Sequence, residues 1–210
     1  MEMFGLENKQ LPPSQRIVLR QISDYIINVG LLADPNSPFF NEFVSLLRES
    51  LRQSVATKSK SLFKEVLKRD PTCEEKKELF TTMATFLVDK SAGDPMEGIK
   101  VLKVINEEKI KDFVDALWVE PKDCSDSKIA EDYLKALLNA TNIVNNEINK
   151  WVRENGLEKE YEKLKKRAIL VNLTLGERLL TMLASKVGKV QLLEKSLARI
   201  RKWKAYYSSH

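Results

Sequence analysis

Histidine is almost missing from this chain: of 210 residues only the last, His210, is one. Ser-His-Asp and Cys-His catalysis, HExxH metal binding and the Glu-x-x-His di-iron pattern all need an internal imidazole, so none of them can be built. Glycine is scarce as well, with seven residues that never fall closer than five positions apart. That spacing excludes the GxGxxG turn and the Walker-type loop, whose clustered glycines let backbone N–H groups cradle phosphate. The two cysteines, Cys73 and Cys124, lack CxxC spacing and are far apart in sequence. Read as unpaired thiols, they suit a reducing compartment, and the expectation is an intracellular protein, cytoplasmic or nuclear.

Long apolar runs are missing too. The longest uninterrupted aliphatic stretch is Ala168–Val171, far below the roughly 20 residues of a transmembrane helix, so no span is expected. The opening MEMFGLENKQLPPSQ has no apolar core of about 7–15 residues, and no secretory leader is expected there. Met3, Phe4 and Leu6 form a short apolar lead with no evident core position.

What remains is rich in charge and helical periodicity. Basic residues number 35 against 30 acidic ones, with a net charge of +5. The imbalance is local. From Lys186 onward seven basic residues stand against Glu194 alone, so the preceding chain is close to neutral. Such asymmetry speaks about partners rather than fold.

The punctuation is that of helices. Gly30, Gly93, Gly156 and Gly188 follow periodic apolar stretches, as helix C-caps do, and Pro12, Pro38, Pro71 and Pro95 precede them. A first helix is predicted from about Ser14 to Asn28, and a second from Ser37 as N-cap, bent near Thr57 or split into two. Thr72-x-x-Glu75 is a capping box that opens a helix carrying Leu79, Phe80, Met83, Phe86 and Leu87. Asp94-Pro95-x-Glu97 starts a short helix, and Ile110, Phe113, Val114, Leu117 and Trp118 mark an amphipathic one. Ile129 through Val152 predicts a helix of roughly 28 residues, ended by Asn155-Gly156. A charged helix follows and turns apolar at AILVNLTL, where Thr174-x-x-Glu177 signals a restart. The near-continuous apolarity of that stretch favours burial in the chain's own core over an oligomer interface. The last helix carries Val190, Leu193, Leu197, Ile200 and Tyr207 as its seam.

These patterns predict an all-α, multi-helix bundle, or two stacked helical subdomains: an N-terminal one over 1–118, a linker at 119–127 and a C-terminal one over 128–210 with a basic final helix. The acidic residues Asp112, Asp115, Glu120, Asp123 and Asp126, with Glu158, Glu160 and Glu162, show no spacing that singles out an acid/base pair or metal site. No catalytic residue, metal or cofactor is assigned. Residues 107–118 could mimic a recognition helix, but Glu107, Glu108, Asp112 and Asp115 would face phosphate with the wrong charge.

The candidate binding residues are cationic and aromatic. Lys195, Arg199 and Lys202 share a face of the last helix, flanked by Arg201 and Lys204, with Trp203, Tyr206 and Tyr207 interleaved for stacking on bases. Lys60, Lys64, Lys68 and Arg69 form a second stripe. The functional expectation is a non-enzymatic scaffold or adaptor subunit of a multiprotein assembly, contacting RNA or DNA through these stripes. A direct nucleic-acid-binding protein and a peripheral membrane-surface binder are the alternatives, the membrane being the less expected partner. Oligomeric state is left open.

Overall fold

A computed structural model describes residues 11–59, 64–65, 68–78, 96–188 and 190–209. Among the described residues helices are the only regular secondary structure. They include α1 (Pro13–Val29), extended by a 3-10 turn (Gly30–Ala33), α2 (Phe40–Ser59), α3 (Glu97–Ile105), α4 (Lys109–Leu117), α5 (Asp126–Glu154), α6 (Glu158–Val187) and α7 (Gln191–Ser209), and residues 73–78 are helical as well. The all-α bundle read from the periodicity is the fold observed.

Local signals explain many of the boundaries. Ser37 accepts a hydrogen bond from the Phe39 amide at 3.2 Å just before α2. The Thr72–Glu75 box closes in both directions, Thr72 Oγ1 accepting from the Glu75 amide at 3.2 Å and Glu75 Oε2 from the Thr72 amide at 2.9 Å. Ser125 caps α5 by accepting from the Lys128 amide. The predicted apolar faces at Leu62–Leu67 and Leu79–Leu87, the capping pair Asp94 and Pro95, Gly93 and the Met3–Leu6 lead all lie outside the described residues.

Two expectations need correction. Thr174-x-x-Glu177 does not restart a helix, because α6 runs unbroken for 30 residues and the Glu177 carboxylate is drawn to cations on α7 instead of to the backbone. Nor is α6 short of membrane-like length. It contains an 18-residue stretch long and apolar enough to cross a bilayer by length and composition, although only 17% of that stretch is buried. Counting uninterrupted runs hid it, since isolated polar residues break a run without much lowering the average.

The core is one cluster drawn from helices on both sides of residues 119–127, including Leu19, Ile22, Tyr25, Leu32, Val55, Leu102, Phe113, Ile129, Leu134 and Ile148. Val119 is itself buried in it. α5 packs on α2, α3 and α4, and α1 packs on α3 and α6. α1 runs beside the first half of α6 in the same direction: Gln15 donates to Asn155 at one end, and Asn172 Nδ2 donates to the Ile27 carbonyl at 2.7 Å at the other. At that second end Gly30 has φ +58°, and a Cβ there would sit 2.9 Å from Asn172 Oδ1. Only glycine satisfies both the left-handed backbone and the close approach. Between α5 and the 3-10 turn, Asn145 Nδ2 donates to the Leu32 carbonyl at 2.9 Å, satisfying a polar side chain inside the core.

Candidate interaction surface

Four of the five cations of α7 are engaged within the molecule. Arg199 Nε donates to Glu42 Oε1 at 2.9 Å, and the Trp203 indole N–H donates to the other oxygen of the same carboxylate at 3.2 Å. Arg201 Nε and Lys204 Nζ both donate to Glu177, each at 2.9 Å. Those two hydrogen bonds, Lys204's the stronger influence, hold the Glu177 carboxyl below the usual glutamate range. The Lys202 ammonium lies 5.1 Å over the Phe39 ring, within cation–π reach. Lys195 is exposed.

The aromatic residues expected to stack on bases turn inward. Trp203 is only 3% exposed and packs against Phe39 and Phe43. Tyr207 is buried, and its hydroxyl donates to Asp34 at 2.8 Å. Burial is the main cause that raises the Tyr207 pKa above the ordinary phenol range. Tyr206 is partly buried, edge-on to Phe39 and to Tyr207. Trp203 and Tyr207 therefore anchor α7 to the start of α2 and to Asp34, and their faces are not presented for stacking.

The second stripe is not a row either. Arg69 grips Glu75 with two guanidinium nitrogens, at 2.7 and 2.5 Å, and this contact and the Thr72 amide hold the Glu75 carboxyl down to about 2. Lys64 pairs with Asp70 at 3.2 Å, and Lys68 is exposed with φ 54°, off any helical path. Lys60 lies outside the described residues. Each stripe is drawn to carboxylates of its own neighbourhood: Asp70 and Glu75 for one, Glu42 and Glu177 for the other.

The acidic residues are dispersed. Asp112 pairs with Lys109, Asp126 with Lys76 and Glu162 with Lys165. Asp123 accepts from the Ser125 amide at 2.8 Å, a turn contact that lowers its pKa. Among the described residues no three His, Cys, Asp or Glu side chains converge. An open groove of about 470 Å³ lined by Gln21, Asp24, Ile27, Asn28, Glu97 and Lys100 is occupied along its rim by the Lys100–Glu97 pair.

Cys73 and Cys124 correct the thiol reading. They form a disulfide, with Cα atoms 5.3 Å apart across 51 residues of sequence. The argument from unpaired thiols to a reducing compartment loses its premise, because sequence distance says nothing about spatial distance. Lys76 strengthens the same junction, its ammonium bonded to the Cys124 carbonyl at 3.0 Å and to Asp126.

The surface that the sequence reading missed is apolar. Beyond Leu173 the buried face of α6 continues as exposed side chains, uncovered among the described residues. Tyr161, Leu164 and Ala168 are buried at helical spacing, and the same face then shows Leu175, Leu179 and Met182 exposed, with Leu183 beside them. Leu179 is 61% exposed and Leu192, at the start of α7, is 68% exposed. α7 packs along the opposite flank of this segment, Ile200 reaching to within 3.3 Å of where a Cβ would stand on Gly176. The AILVNLTL stretch expected to be buried is thus split: Ala168, Ile169 and Leu173 are core, while Leu175 is exposed. The spacing 175, 179, 182 was legible as a helical stripe; that the body ends before it was not.

No family model, curated protein or solved structure matches the chain. Its own residues therefore carry the functional reading.

Proposed function

We propose that this chain is a non-enzymatic helical scaffold or adaptor whose docking element is the projecting arm formed by the second half of α6 and the first half of α7. The observation that carries it is the bare continuation of the core-facing stripe at Leu175, Leu179, Met182 and Leu183, joined by Leu192. Large contiguous apolar patches on a folded surface mark contact sites, whereas isolated exposed leucines need no explanation. The arm is held to the body by Trp203, Arg199 and Glu42, so it is presented at a fixed angle rather than as a loose tail.

A photo-crosslinking residue at position 179, in cells producing the chain, tests this. Crosslinks at 179, with none at the exposed position Lys103, are expected. Equal yields at both positions, or none at 179, overturn it.

Nucleic-acid contact is the second reading, favoured by the charge concentrated after Lys186. Against it, Arg199, Arg201 and Lys204 already have carboxylate partners.

A further inference from the structure

We infer that the α6–α7 arm is a peripheral membrane-contact device that seats its apolar tip in the surface of an anionic phospholipid bilayer. The inference rests on the docking reading above and names the partner. Past Leu173, where the last core contact of α6 is made, the helix continues for about 20 Å at 1.5 Å per residue. A membrane-length apolar stretch in the middle of a core is ordinary, but it is then mostly buried. Here it is not, so its apolarity is not accounted for by the core.

The exposed apolar residues gather toward the free end of the arm. Leu179, Met182 and Leu183 lie on the last turns of α6, and Val190 and Leu192 lie just past the Gly188 turn. Lys186 stands on the same line as Leu175, Leu179 and Met182, at helical steps of four, three and four. Its aliphatic stem can lie along the stripe while its ammonium reaches headgroup phosphate. Arg178 and Lys195 are exposed on the flanks, and with Lys186 they outnumber Glu194, the exposed carboxylate beside Lys195, so the charge among the described residues here stays net positive. The carboxylate of Glu177 is already satisfied by Arg201 and Lys204 and adds no free negative charge. An apolar stripe rimmed by cations complements an anionic surface with an apolar interior.

Charge also decides against a second copy of this chain. A two-fold contact would set Arg178, Lys186 and Lys195 of one arm against the same residues of another, a like-charge juxtaposition that costs affinity. A spanning arrangement is excluded by packing. The first part of the apolar stretch is locked to the body through Ala168, Ile169 and Leu173 and the Asn172–Ile27 hydrogen bond.

The test is co-sedimentation of the purified full chain with phosphatidylcholine vesicles and with vesicles that also contain phosphatidylserine. Binding to the anionic vesicles, reduced by added salt, is expected. Leu179→Glu with Met182→Glu should weaken it by about ten-fold or more, and Lys186→Glu with Lys195→Glu should remove the preference for phosphatidylserine. These positions are exposed, so helicity by circular dichroism should stay unchanged. No sedimentation with anionic vesicles, or binding untouched by the Leu179→Glu/Met182→Glu pair, overturns the inference. Light scattering that shows a dimer lost in that same variant also overturns it, while leaving the docking reading standing. Protein crosslinks at position 179 without vesicle binding would do the same.

Discussion

Glu42 and Trp203, separated by 161 residues, meet through an indole hydrogen bond of 3.2 Å that fastens the last helix to the start of α2. The same carboxylate takes Arg199. Arg199 and Trp203, expected from the sequence to contact nucleic acid, thus share one carboxylate of α2.

Trp203→Ala should cost about 3–5 kcal/mol, the usual range for deleting a buried aromatic, read as a lowered denaturation midpoint. Arg199→Glu should also lower the melting temperature, because it places a second carboxylate against Glu42. A surface site for polyanion would behave differently. Its charge reversal would leave melting unchanged, and binding to a short duplex would fall with salt at a log–log slope of about −2 to −4 for three or four phosphates. A near-zero slope is expected for this chain.

What could be read from the sequence was local. The Thr72–Glu75 box and the length of α5 are found where expected, whereas Ser37, read as the N-cap of the second helix, holds the turn before α2, which begins at Phe40. What could not be read depended on distant partners. Arg199 and Glu42 lie 157 positions apart, and the helical wheel of α7 shows Arg199 as a surface cation until α2 is placed beside it. Thr174 and Glu177 carry the letters of a capping box, yet in a continuous helix the threonine has no orphan amide to satisfy. The bare stripe of α6 has the periodicity of a core face, and among the described residues α1, which packs on the first half of α6, ends beside Asn172 before reaching it.

Reduction of the Cys73–Cys124 bond should release two titratable thiols and destabilise the fold. Closing a loop of 51 residues removes about 4 kcal/mol of unfolded-state entropy in the chain-entropy model. Cys73→Ser with Cys124→Ser should lower the urea midpoint accordingly, and a reductant should have no further effect on that variant. Equal midpoints for the oxidised and reduced native chain would contradict this.

Acid should loosen the α6–α7 hairpin before it unfolds the core. Glu177 has its pKa lowered by Lys204 and Arg201, so the stability it contributes is complete above the unfolded glutamate value of about 4.3. That contribution fades as pH falls through the lower folded value. Carbon-13 titration of the side-chain carboxyls should place the Glu177 midpoint below the ordinary glutamate value of about 4.3. Glu177→Gln should abolish the acid-dependent change at the hairpin while leaving that of Glu75, held by Arg69 down to about 2, in place.

Gly98 tests how tightly the body is packed. It lies buried in α3, where an added Cβ would come within 2.9 Å of Val144 Cγ2 and 3.0 Å of Phe113 Cε2. On an exposed helix surface, replacing glycine by alanine stabilises by up to about 1 kcal/mol. Here the sign should reverse, because Phe113 and Val144 are both fully buried, Val144 on α5. Gly98→Ala should destabilise by about 1–3 kcal/mol through overpacking. Adding Val144→Ala should recover part of that loss, since it vacates the volume that the new methyl group needs. A double-mutant cycle in urea reads the coupling directly. Simple additivity of the two substitutions would mean that α3 and α5 are not in contact at this point.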